Sequence, residues 1–119
     1  MDKNDELVWM TWLDFRKVTS EKRVVFFGVS DGWVQKTLSM AKLNLVYYVD
    51  NSSSWIGSKW IDVDVKSPET LKSDIENRFV VITSSAYESI IPQLIEYGLS
   101  PGVDFCVTPA LNSLKIITQ

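Results

Sequence analysis

The apolar positions of this chain fall into short continuous runs that alternate with stretches of helical spacing. Arg23 to Gly28 reads RVVFFG, an unbroken apolar run closed by glycine, the pattern of a strand buried on both faces. Ser30 and Asp31 then offer an N-cap, and Gly32 to Leu43 carries Val34, Leu38 and Ala41 at helical spacing. Leu45 to Asp50, LVYYVD, is a second such run and ends in an acid. Strand, helix and strand of these lengths predict a βαβ unit with a right-handed crossover. A polar turn region follows, Asn51 to Ser58. Trp60 to Val65 alternates, with Ile61, Val63 and Val65 on one side and Trp60, Asp62 and Asp64 on the other, which predicts one half-exposed edge strand. Ser67-Pro68-Glu69 combines a capping serine, a proline at the first helical position and an acid near the positive helix end, and predicts a helix to about Asn77. Phe79 to Thr83 is a third buried strand. Ser85 and Glu88 have capping-box spacing, Ile91, Leu94 and Ile95 supply a buried helix face, and Gly98 stops that helix. Pro92 predicts a kink there or an irregular first turn. Val103 to Val107 is a last parallel strand, and Leu114 to Thr118 a short additional one. Ahead of all these, Asp5 to Val18 is helical, with Val8, Trp12 and Phe15 on an apolar face widened by Leu7, Met10 and Leu13. That helix packs on the flank of the sheet or docks a partner domain.

The alternation implies an α/β class: a Rossmann-like three-layer domain with a mostly parallel sheet of about five strands, preceded by an N-terminal helix. The length of 119 residues suits one domain, with a helix in 1–20, an α/β core in 22–109 and a C-terminal extension in 110–119.

Composition narrows the partners. A net charge of -3 supplies no cationic field for nucleic acid or an anionic membrane. No apolar run is long enough to span a bilayer. The opening Met1 to Glu6 lacks the layout of a signal peptide, so a cytoplasmic location is expected. The one cysteine, Cys106, can form no internal disulfide and lies in an apolar stretch, as a core residue would. Histidine is absent, which excludes histidine triads and the commonest zinc ligands. Asp62 and Asp64 could hold a hard cation weakly, although paired acids on an edge strand more often discourage edge pairing.

In doubly wound sheets ligands bind beyond the carboxyl ends of the strands, where the strand order reverses. Here that place is between the first strand and the one ending at Ser84. The first loop departs from the dinucleotide pattern G-x-G-x-x-G: Gly28 is in place, Ser30 and Trp33 replace the other two glycines, and Gly32 comes one position early. Asp31 adds a negative charge nearby. Asp50 follows Gly28 by roughly twenty residues, the interval at which an acid holds ribose hydroxyls. Ser84, Ser85 and Tyr87 are candidate donors in the same crevice. The candidate binding set is therefore Gly28, Ser30, Asp31, Gly32, Asp50, Ser84, Ser85 and Tyr87, with no catalytic residue and no metal ligand. No nucleophile–base pair and no tyrosine–lysine pair at short helical spacing is present.

The succession RVVFFGVSDG, LVYYVDNS, VDVKSPETL, VVITSSAYESIIPQLIEYGL and DFCV resembles a small Rossmann-like accessory domain of bacterial glycan-biosynthesis enzymes. Such domains accompany nucleoside-diphosphate-sugar epimerases or dehydratases and FkbM-type methyltransferases. The resemblance runs from about Lys22 to Val107, with the glycine-rich turn at Gly28 to Trp33 and the acid at Asp50. It implies a non-catalytic module that binds a nucleotide or nucleotide sugar, with NAD(P) as a weak alternative ligand, linked to polysaccharide biosynthesis. A second expectation competes with it: a broken glycine motif and five tryptophans also suit a module for protein interaction, as a homodimer or with a partner domain.

Overall fold

A computed structural model describes residues 7–112, apart from the side chain of Asp31. The elements in chain order are α1 (Trp12–Thr19), β1 (Arg23–Phe27), α2 (Asp31–Met40), β2 (Asn44–Val49), β3 (Lys59–Trp60), β4 (Val63–Lys66), a 3-10 turn (Pro68–Lys72), β5 (Arg78–Ile82), α3 (Tyr87–Glu96), β6 (Phe105–Val107) and a second 3-10 turn (Pro109–Leu111). This is an α/β protein with a six-stranded sheet in the order β3-β4-β2-β1-β5-β6. Every neighbouring pair is parallel except β3 with β4.

The runs that read as buried strands are buried on both faces. Val24, Phe26, Tyr48, Phe79 and Val81 join Phe15 of α1, Val34 of α2 and Ala41 just after it in one cluster. Val25, Phe27, Val49, Val80 and Ile82 join Leu71 and, from α3, Ile90 and Leu94 in another. Alternate side chains of each strand thus meet helices on opposite faces, which is why no polar position interrupts RVVFF or FVVI. Cys106 is fully buried, and burial pushes its thiol well above the usual range.

Several expected elements take a different form. The expected strand Trp60 to Val65 is a tight hairpin: Trp60 pairs with Val63, and Ile61 and Asp62 form the turn with φ of 51° and 62°. Asp62 is therefore in the turn and Asp64 in β4, and the two do not share a strand face. The expected helix from Asp5 is interrupted: Leu7 and Val8 are helical, residues 9–11 are not, and α1 starts at Trp12, where Thr11 Oγ1 accepts from Asp14 N at 3.1 Å. Val8 is buried without belonging to α1, while Leu7 and Leu13 are exposed. The cap at Ser67 forms, with Oγ accepting from Glu69 N, but the segment is a 3-10 turn ending at Lys72. α2 stops at Met40 rather than Leu43. α3 buries Ile90 and Leu94 and leaves Ile95 exposed, one position out of phase with the expected face. α3 also runs through Pro92, which is exposed on the same side as Glu88, so water can reach the carbonyl that loses its partner. The expected strand at Leu114 to Thr118 lies outside the described residues.

α2 is also fastened to the far end of β6. Ala110 N donates to Thr108 Oγ1, and Thr37 Oγ1 donates to Trp33 O at 2.7 Å. The 2.6 Å contact between the two threonine hydroxyls then has only one consistent sense, Thr108 donating to Thr37.

Candidate functional site

Chain connectivity sets where a site can form. From β1 the chain moves outward through β2 to β4, then crosses back to β5 and β6 on the other side. The order reverses between β1 and β5, and the loops beyond their carboxyl ends diverge to opposite faces. A cavity of about 130 Å³ lies there, lined by Phe27, Gly28, Asp50, Ser84 and, at the start of α3, Ala86 and Ser89 among others.

Gly28 carries the tightest contact. Its φ is 119°, and a Cβ built on it would lie 2.8 Å from Ser84 Cβ and 3.3 Å from the Thr83 carbonyl. Thr83 N donates to Phe27 O, and Thr83 Oγ1 donates to Gly28 O at 2.8 Å. The glycine thus lets β1 and β5 stay together one residue beyond their ladder. Its role is strand-to-strand approach as much as space for a ligand.

Asp50 is already engaged. Its Oδ2 accepts from Val29 N at 2.8 Å and its Oδ1 from Ser52 N at 2.8 Å. One carboxylate therefore ties the loop after β1 to the loop after β2. A ribose hydroxyl reaching Asp50 would meet two oxygens that each hold a backbone N–H.

Across the opening, Asn51 and Gln93 form a reciprocal pair, each side-chain nitrogen donating to the other's oxygen at 2.9 Å. Gln93 Nε2 also reaches Tyr97 Oη at 3.0 Å. The loop after β2 is thereby held against α3. Ser84 Oγ accepts from Ala86 N at 3.1 Å, and Ala86, not Ser85, is the residue preceding α3. The expected capping box of Ser85 and Glu88 does not form, because α3 starts one residue later than that spacing requires.

Of the eight candidates, the structure brings Gly28, Asp50 and Ser84 together on one cavity wall. Ser85 is exposed outside it. Tyr87 turns away and meets the Trp9 ring edge-on, with centroids 5.2 Å apart. Ser30 is the N-cap of α2 and makes no side-chain cap bond. Gly32 is exposed in the first turn of α2 with nothing near its missing Cβ, and the side chain of Asp31 lies outside the described set. Trp33 packs against the cluster under α3 and is not part of the cavity lining.

Two features escaped the sequence. Ser89 lines the cavity, yet as an exposed polar residue near the start of a helix it carries no distinguishing pattern. At the opposite end of the sheet, Asp74 accepts both guanidinium nitrogens of Arg23, at 2.9 and 3.0 Å, and the Tyr47 hydroxyl at 2.6 Å. The Arg23 bonds hold the Asp74 carboxyl down at about 2 against the opposing effect of burial, with a smaller downward push from the Tyr47 hydroxyl. Burial first, and Asp74 second, pushes the Tyr47 hydroxyl above its usual range.

Among the described residues no three acidic or cysteine side chains gather as metal ligands would, and no helix is long and apolar enough to cross a membrane. No family model, curated protein or solved structure matches the chain.

Proposed function

We propose that this chain is a Rossmann-like, non-catalytic module that holds the phosphate-bearing part of a nucleotide or nucleotide sugar beyond β1 and β5. The observation that carries this reading is the coincidence of the strand-order reversal with a cavity whose wall includes the first turn of α3. The positive end of α3 favours an anion at that place, with the N–H groups of Ala86, Ser89 and Ile90 themselves held by Ser84 Oγ and Ala86 O. A volume of about 130 Å³ admits a phosphate-sized group, and falls below the range of roughly 300–1,000 Å³ of pockets that enclose a drug-sized ligand. The sugar or base would lie outside, over the Asn51–Gln93 pair. A dinucleotide in the usual extended pose is disfavoured because Asp50 is occupied by Val29 and Ser52. The link to polysaccharide biosynthesis rests on the resemblance of residues 22–107 alone.

Thermal unfolding with UDP-sugars, UDP, NAD and NADP tests this. A ligand present at about ten times its Kd stabilises by roughly 1.4 kcal/mol, a shift of several degrees in a domain of this size. Ser89→Asp should abolish that shift without lowering the melting temperature of the free protein, because an acid is favourable in the first turn of a helix but repels a phosphate. No shift with any of the four ligands would remove the proposal.

A second reading has its own observation. Leu7 and Val103 are 51% and 71% exposed, and the Leu7 carbonyl lies against Gly102, next to Val103. That apolar patch suits protein contact. A dimer or larger species in light scattering, lost in Val103→Asp, would favour an assembly role; a monomer at high concentration would exclude self-association.

A further inference from the structure

We propose that the cavity between the Pro68–Lys72 turn and the end of α3 binds a small oxyanion through Arg78. The site is at the amino ends of the strands, opposite the crevice beyond β1 and β5, and does not depend on the function proposed above.

Arg78 opens β5 and is only 8% exposed. Its Nε donates to Asp74 O at 2.8 Å and its Nη2 to Leu71 O at 2.9 Å, which closes the 3-10 turn. A guanidinium carries five N–H donors, and Nη1, which has no protein partner among the described residues, is not sealed from solvent and so is accessible to a guest. No carboxylate forms an ion pair with Arg78 among the described residues, since the nearby Asp74 oxygens are taken by Arg23 and Tyr47. The largely buried guanidinium thus has carbonyl partners but no ion pair, and a bound anion would complement its charge.

There is room for one. A cavity of about 220 Å³ adjoins Arg78, walled by Leu71, Lys72, Tyr97, Leu99 and Asp104 among others. Lys72 adds a second positive charge at the rim, where its ammonium meets Glu69 at 2.7 Å and stands 4.8 Å from the centre of the Tyr97 ring. The planar fork of arginine matches two oxygens of a carboxylate or phosphate. Asp104 stands on the same wall, with Oδ2 accepting from Ser100 N. The favoured guest is therefore an oxyanion that also carries a hydrogen-bond donor to turn toward Asp104. Monohydrogen and dihydrogen phosphate have both.

The test is a titration of the isotope-labelled protein with sodium phosphate, and separately with acetate, at constant ionic strength, followed by nuclear magnetic resonance. Saturable shifts of the Arg78 Nε–H and of the Gly98 and Leu99 amides are expected. Saturation by phosphate alone assigns a phosphate guest, and saturation by acetate as well assigns oxyanions in general. Arg78→Lys, which keeps the charge but loses the fork, should weaken binding at least tenfold, whereas Lys42→Ala, on another surface, should leave it unchanged. Shifts that grow linearly without saturating, or that centre on Lys22 and Lys42, would overturn the proposal. If Arg78→Lys does not fold, the shift map of the unaltered protein still decides the matter.

Discussion

Two glycines in one loop do different work. Gly28 has no room for a side chain, since a Cβ would press on Ser84 at 2.8 Å in a backbone region that other residues rarely adopt. Gly28→Ala should destabilise the protein by about 3 kcal/mol, from strain and overpacking together. Gly32 is exposed in the first turn of α2 with open space around it. Gly32→Ala should instead stabilise by about 0.5–1 kcal/mol through helix propensity. Chemical denaturation of both variants checks the contrast, and equal losses would show that the second glycine is also needed by the fold. Asp50 was legible as a strand-end acid, and Gly28 as the glycine closing the first strand. What no spacing revealed was that the two are joined through Val29, because that bond depends on how two loops meet in space.

At the level of elements, buried parallel strands announced themselves because contact on both faces leaves no polar position in β1 and β5 after the arginine that opens each. The β3–β4 hairpin was hidden. Alternation in Trp60 to Val65 persists across a two-residue turn, and the turn lacks the glycine or asparagine that usually marks one. Ile61 instead holds a φ of 51° while 52% exposed, an unfavourable conformation for a branched side chain. Replacing Ile61-Asp62 by Asn-Gly should raise the unfolding free energy by about 1 kcal/mol. An unchanged or lower stability would mean that Ile61 makes a compensating contact. The 3-10 turn shows the reverse case: its start was plain from Ser67-Pro68-Glu69, but its end was not. The chain leaves the helical path after Lys72 so that Asp74 can meet Arg23 and Tyr47, partners distant in sequence.

For the molecule as a whole, that junction ties the starts of β1 and β5 to β2 at the lower end of the sheet. Asp74 has a carboxyl pKa lowered from 3.8 to about 2, with its side chain 24% exposed. A lowered pKa means stabilisation that is complete above the unfolded value and disappears as pH falls through the folded one. Up to about 2 kcal/mol should therefore be lost between about pH 4 and pH 2. Asp74→Asn should lower stability at pH 7 and close the gap to the parent protein over that interval. A gap that stays constant down to pH 2 would show that the carboxylate is not the source. The general architecture followed from the alternation of strands and helices. The place of α1 did not, because a helix that precedes the first strand has no crossover to fix its side of the sheet.

The position of β1 bears on how the chain is made. The earliest strand is an interior one, and its second neighbour, β5, comes from far down the sequence. A growing polypeptide therefore carries RVVFF with one flank bare until Ile82 has emerged. Fragments that stop short of Arg78 would retain that bare, strongly apolar flank and would tend to join one another through it.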